Sequence, residues 1–257
     1  MSRINEAFKS RPIFMPYFPL GYPDLSTSLD VIEALAENGA DLIEVGLSFS
    51  DPLADGPVIQ QATQVALEGG ITVRKSLDAL RLLRQRGIQI PLVLMGYLNP
   101  LLAFGLAHFT CEAQLAGADG FIIPDLPPEE AGEFEKTLEG TGLPLIRMLA
   151  PTTPPERMQM IARHAQGFIY VVSVAGVTGP RRALAEGLAG LLEQVRQHSS
   201  VPVCVGFGIG TPEQAQAVGA MADGVIVGSA CVRVVGESRD PVGAARQFAR
   251  SFHEALQ

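Results

Sequence analysis

Eight short apolar runs, separated by stretches of helical periodicity, constrain this chain's fold more than any other feature. They are IFMPYF from Ile13, LIEVG from Leu42, PLVLMG from Pro91, GFIIP from Gly120, PLIRML from Pro144, FIYVV from Phe168, VPVCVG from Val201 and GVIVG from Gly224. Most are nearly continuous Val, Ile and Leu, the pattern of strands buried on both faces of a helix-covered parallel sheet. The intervening segments fit that role. Leu29, Ile32, Leu35 and Ala36 mark one face of a helix that stops at Asn38-Gly39, and Leu77, Leu80 and Leu83 mark another before Gly87. Asp240 and Pro241 supply an N-cap and first residue for a last helix striped with Val242, Ala245, Ala249, Phe252 and Leu256. Eight strand–helix units in 257 residues match the size of a (β/α)8 TIM barrel, and no linker or low-complexity tract divides residues 1–257 into domains. A doubly wound open sheet is the competing α/β architecture.

Composition narrows the function classes. With 47% hydrophobic and 18% charged residues the chain can bury a large core. Lys+Arg 19 against Asp+Glu 27 gives a formal charge of -8, which argues against nucleic acid and anionic membranes as partners. Cys111, Cys204 and Cys231 are an odd set without a CxxC spacing and read as reduced, mostly buried thiols. The N-terminal MSRINEAFKSRP lacks the apolar core of a signal peptide, so a cytoplasmic location is expected. The chain contains no Trp.

In a barrel of this kind chemistry sits at the C-terminal ends of the strands. His108, His164, His198 and His253 all fall in helical or helix-end segments, so no metal site is expected. Lys9, Lys75 and Lys136 lie off the strands, which leaves no candidate for a Schiff base. The chemistry must then run on carboxylates, hydroxyls and backbone dipoles. Strand alternation in LIEVG places Leu42, Glu44 and Gly46 on one face and Ile43 and Val45 on the other. If the second face meets helices, Glu44 points into the barrel, and burial would raise its pKa. A structural Glu paired with an arginine is the plainer alternative. Asp55 lies in the loop LSFSDPLADGP after the same strand, where Asp-Pro and Asp-Gly are also ordinary turn pairs; for Asp51 turn chemistry is the favoured reading. Gly206-Phe207-Gly208 ends the seventh strand and Gly228-Ser229 the eighth, the two loops where barrels commonly hold phosphate. Ser173–Pro180, after the sixth, has the small residues of a lid.

These residues also spell a family pattern. IEVGLSFSDPLADG at Ile43–Gly56 resembles the signature of the tryptophan synthase alpha chain. PYFPLGYPD at Pro16–Asp24, LMGYLNP at Leu94–Pro100, PDLPPEE at Pro124–Glu130, AGVTG at Ala175–Gly179, GFGI at Gly206–Ile209 and VGSA at Val227–Ala230 follow in family order across nearly the whole chain. The resemblance implies a (β/α)8 barrel that cleaves indole-3-glycerol phosphate to indole and glyceraldehyde 3-phosphate by a retro-aldol reaction. It implies that Glu44 is the general acid/base and Asp55 the partner of the indole N–H. Tyr17, Tyr97, Leu126 and Ile209 would form the indole pocket, with Tyr170 and Phe207 flanking the ligand. Gly179, Gly206, Gly208, Gly228 and Ser229 would bind phosphate, and Thr178 would close onto Asp55. The implied partner is a beta chain in an alpha2beta2 heterotetramer, meeting loops at Pro52–Pro57, Asn99-Pro100 and Pro127-Pro128. Pyridoxal phosphate is expected only in that partner, and no cofactor in this chain. Ser48, Pro19 and Val174 depart from common family residues without removing a catalytic group. A sugar-phosphate epimerase would need metal-ligating histidines at strand ends. A non-catalytic activator of the beta chain would tolerate loss of Glu44 or Asp55, and a free-standing indole-3-glycerol-phosphate lyase would keep both.

Overall fold

The computed structural model describes residues 2–10, 12–172, 181–206 and 208–257, with side chains in the helix that begins at Arg181 described from residue 187. All eight apolar runs form strands: β1 (Ile13–Pro19), β2 (Ile43–Gly46), β3 (Leu92–Met95), β4 (Gly120–Ile122), β5 (Leu145–Leu149), β6 (Ile169–Val172), β7 (Val203–Gly206) and β8 (Gly224–Val227). They pair in parallel in chain order, and β1 closes on β8, so the sheet is a barrel rather than an open doubly wound sheet. The helices are α1 (Arg3–Ala7), α2 (Leu25–Glu37), α3 (Pro57–Glu68), α4 (Val73–Gln85), α5 (Leu98–Phe104), α6 (Leu106–Ala116), α7 (Gly132–Leu138), α8 (Pro155–His164), α9 (Arg181–Arg196), α10 (Pro212–Gly219), α11 (Ser229–Gly236) and α12 (Pro241–Leu256).

Local chemistry sets their limits. The Asp24, Thr72 and Asp240 side chains accept N–H groups in the first turns of α2, α4 and α12, removing orphan donors there. Alternation then sorts side chains into two cores. Outward residues such as Phe14, Ile43 and Val45 meet the helix layer, where Phe14 stacks on Phe252 of α12 with centroids 5.3 Å apart. Inward residues Ile13, Met15, Leu42, Val93, Ile122, Ile146, Phe168, Cys204 and Ile226 fill the barrel. Ile4 of α1 and the following Phe8 plug its base, with Phe8 5.9 Å from the Phe168 ring. Among the described residues no helix is long and apolar enough to cross a membrane. Cys204 and Cys231 are buried, whereas Cys111 is exposed, and none of the three forms a disulfide among the described residues.

Candidate active site

Glu44 occupies the middle of β2, in register with Tyr17 on β1 and Val93 on β3. Its neighbours Ile43 and Val45 face the helices, which turns Glu44 into the barrel, where it is 1% exposed. No arginine pairs with it among the described residues, and its Oε1 has no hydrogen-bond partner among them. Burial without a compensating cation pushes its carboxyl up to about 8, so the neutral acid is its form at pH 7. Among the described residues Glu44 is thus not part of a structural Glu–Arg pair.

Asp55 sits in the loop between β2 and α3. The loop is folded by its own backbone, with Leu53 N–H donating to Asp51 O at 2.9 Å and Asp55 N–H to Pro52 O at 3.0 Å, so Asp51 does serve a turn. Tyr97, buried just before α5, pins the loop: its hydroxyl accepts from Ala54 N–H at 3.0 Å, one residue before Asp55, and lies close enough to the Asp55 carboxylate to stabilise its charge. Burial raises the Asp55 pKa and the Tyr97 hydrogen bond opposes that rise. Tyr17 and Tyr170 are buried, and the charges of both Glu44 and Asp55 raise the pKa of each, so the two tyrosines lie near both carboxylates.

Two glycines make room for these tyrosines. A methyl group at Gly46 would overlap the Tyr17 hydroxyl, and one at Gly206 the Tyr170 hydroxyl. Each tyrosine therefore lies across the glycine that ends the neighbouring strand. Gly208 has φ 73, a left-handed conformation that favours glycine, and Ile209 beyond it is 7% exposed. Leu126, after β4, is also buried at 7% exposure.

The two helix starts near the phosphate loops are unlike. Thr211 and Gln214 close a capping box on α10, and Gln214 Oε1 also accepts from Gly210 N–H at 2.7 Å, so these donors are occupied. Gly228 caps α11 with no side chain to accept its first-turn N–H groups, and Ser229 is that helix's first residue. An anion therefore has free donors at α11 rather than α10. Thr178, Gly179 and Phe207, together with Val174 and the lid expected at 173–180, lie outside the described residues. Among the described residues no group of three His, Cys, Asp or Glu side chains could hold a metal ion.

Two features escaped the sequence reading. The Ser48 hydroxyl is buried with no hydrogen-bond partner among the described residues. Asp125, quoted above only as part of PDLPPEE, accepts from Leu98 N–H at the start of α5, at 3.0 and 3.3 Å to its two oxygens. An acidic residue beside proline reads as a turn, and nothing local in the sequence points to a helix start 27 residues earlier.

Comparison with known proteins places this geometry. Residues 4–256 match the family model for the tryptophan synthase alpha chain. The chain belongs to the tryptophan synthase alpha chain family. It is 48% identical over 237 residues to the tryptophan synthase alpha chain of Chloroflexus aggregans, covering 90% of this chain and 89% of that one. To that of Roseiflexus castenholzii it is 47% identical over 257 residues, covering 97% and 98%. Its backbone superposes on tryptophan synthase subunit alpha from Legionella pneumophila with TM-score 0.92 at 37% identity, across 100% of this chain and 98% of that one. A tryptophan synthase structure from M. tuberculosis gives TM-score 0.90 at 35% identity, across 100% and 99%. As a tryptophan synthase alpha chain it is a lyase subunit of tryptophan biosynthesis, and the epimerase and free-standing lyase readings are not favoured.

Proposed function

We propose that this chain cleaves indole-3-glycerol phosphate by a retro-aldol reaction run by Glu44 and Asp55. The observation that carries the reading is a pair of carboxylates beside the same two tyrosines but in different environments, Glu44 buried without a cation and Asp55 next to the Tyr97 hydroxyl. Indole leaves poorly as a carbanion, so the reaction begins by adding a proton to C3 of the indole ring. Neutral Glu44 supplies that proton, and the positive charge created at the indole nitrogen is offset by ionised Asp55, which accepts the N–H. The Glu44 carboxylate then takes the proton of the side-chain hydroxyl next to the ring. The bond between C3 and the carbinol carbon breaks, its electron pair restores the indole ring, and the carbinol becomes the aldehyde of glyceraldehyde 3-phosphate. Glu44 ends protonated, ready for another cycle. Tyr17, Tyr97, Leu126, Tyr170 and Ile209 hold the indole. Gly206 and Gly208 leave room at the end of β7, while the backbone N–H groups at Gly228 and Ser229 receive the phosphate.

The mouth carries the partner face. Leu53, at the tip of the loop that bears Asp55, is 93% exposed, an apolar side chain with no packing role in the isolated chain. It supports a beta chain seated on this rim; the family membership implies that the assembly is a cytoplasmic alpha2beta2 heterotetramer, with pyridoxal phosphate in the beta chain and no cofactor used by the alpha reaction.

Indole release from indole-3-glycerol phosphate tests the reading. Glu44→Gln and Asp55→Asn are each expected to lower kcat by at least ~10²-fold with the fold retained, the usual effect of removing a general acid/base. Gly228→Val should act on KM instead, raising it by about tenfold or more because its side chain shields helix N–H groups from the phosphate. Wild-type turnover in either carboxylate variant at saturating substrate would refute that residue's role.

A further inference from the structure

We propose that Asp125 is a positioning residue for the alpha reaction: by capping α5 it fixes Tyr97, and through Tyr97 it fixes Asp55. The inference rests on the role proposed above for Asp55.

Tyr97 is the N-cap residue of α5, yet its side chain gives the helix no capping hydrogen bond, because the hydroxyl is committed to the opposite direction, on Ala54 N–H and Asp55. A helix of only seven residues with an open first turn would fray at the residue that must be held still. Asp125, reaching over from the loop after β4, closes that turn from outside with both carboxylate oxygens on Leu98 N–H. Its charge also favours the positive end of the helix. Tyr97 is then gripped on three sides: by the capped turn behind it, by the Phe49 ring with centroids 5.6 Å apart, and by Ala54 N–H at its hydroxyl. The path from Asp125 to the Asp55 loop is therefore the hydrogen bond from Leu98 N–H, its covalent neighbour Tyr97, and the hydrogen bond from Ala54 N–H, the residue before Asp55, to the Tyr97 hydroxyl. Asp125 is itself exposed and the path runs entirely through Tyr97, so it touches no reacting atom. An uncapped α5 lets the Tyr97 ring shift, and Asp55 loses both its alignment on the indole N–H and the hydrogen bond that opposes the effect of burial.

The test uses the full chain saturated with its beta chain and four variants: Asp125→Ala, Asp125→Asn, Tyr97→Phe and the double variant Asp125→Ala with Tyr97→Phe. Asp125→Ala is expected to lower kcat by about tenfold, with KM changed much less, as a small misplacement of a reacting group does. Asp125→Asn should keep most of the activity, since its amide oxygen still accepts from Leu98 N–H. In the Tyr97→Phe background, Asp125→Ala should cost almost nothing further, because the path is already cut. The acid limb of kcat/KM provides a separate readout. Among the described residues, Tyr17 on β1 and Tyr170 on β6 feel the charges of both Glu44 on β2 and Asp55, and Tyr97 feels those of Asp55 and Asp125; the variants alter only Tyr97 and Asp125, and Asp125→Asn, which removes the Asp125 charge but keeps the cap, controls for that charge. That limb should move to higher pH in Tyr97→Phe and Asp125→Ala alike, and stay in place in Asp125→Asn. Its position does not depend on the fraction of enzyme folded, so it decides the matter even if Asp125→Ala is less stable. An unshifted limb in Asp125→Ala, or a full additional loss of kcat in the Tyr97→Phe background, overturns the inference. Wild-type turnover of Asp55→Asn would instead overturn the reading on which it rests.

Discussion

At the scale of a residue, the role proposed for Glu44 ties catalysis to stability through its protonation. Its carboxyl titrates near 8 in the folded chain against a reference of 4.5, because burial disfavours the anion. The group is therefore neutral where the proposed reaction needs an acid, and on that proposal turnover should fall as pH rises through about 8. The same shift has a thermodynamic sign. The raised folded value means that the unfolded chain releases this proton first, so Glu44 costs no stability below pH 4.5 and progressively more as pH rises toward 8. Glu44→Gln keeps the shape and cannot ionise. We expect the variant to be more stable than the wild type by roughly 2–4 kcal/mol at pH 9 and by clearly less at pH 6, as read from urea unfolding at the two pH values. An equal difference at both would mean that Glu44 is not the group that ionises.

At the scale of elements, the strands and their order were legible because each is a compact apolar run, and its burial on both faces needs no partner to be named. The long helices were legible for the same reason, through their stripes and caps. What escaped was pairing across sequence. PLIRML reads as an apolar strand, yet β5 carries a buried arginine on its outward face, Arg147, held by Glu135 of α7. The tyrosines show the same limit. Tyr17 lies in an apolar run whose alternation turns it inward, but that its ring lies over Gly46 depends on the β1–β2 register, which no local pattern carries. The arrangement recurs between Tyr170 on β6 and Gly206 on β7, so the site is walled on two sides by rings laid across strand boundaries. Gly46→Ala should force the Tyr17 ring away, destabilising the chain by about 1–3 kcal/mol and raising KM for indole-3-glycerol phosphate. Combining it with Tyr17→Leu removes the overlap and should recover most of the stability but not the KM. If thermal unfolding of Gly46→Ala matches the wild type, the ring is not confined as described.

Across the whole molecule, the proposed chemistry and a stabilising network occupy opposite ends of the barrel. Glu44, Asp55 and their tyrosines gather at the C-terminal ends of the strands, while the base is tied together around Asp119. That residue, 8% exposed before β4, accepts from Arg3 of α1 at 3.0 Å, from Arg84 of α4 at 2.5 Å and from Leu92 N–H of β3 at 2.8 Å. Arg84 in turn donates to the carbonyls of Gly117, Ile88 and Ile90, so its guanidinium links the ends of α4 and α6 to the start of β3. Asp119→Ala removes three acceptor contacts at once and leaves Arg84 charged, 13% exposed and without its carboxylate. Breaking a buried pair from one side typically costs about 3–5 kcal/mol. For a chain of this size that corresponds to a fall in Tm of roughly 6–15 °C. Asp119→Asn keeps one oxygen for Leu92 N–H and should lose less. Because the network lies at the opposite end from the cavity, kcat per folded molecule is expected to stay at the wild-type value well below the lowered Tm. Calorimetry paired with active-site titration at 20 °C checks both halves. A variant that melts like the wild type would remove Asp119 from the centre of the base, and one that stays folded with a reduced kcat would show that the base and the mouth are not independent.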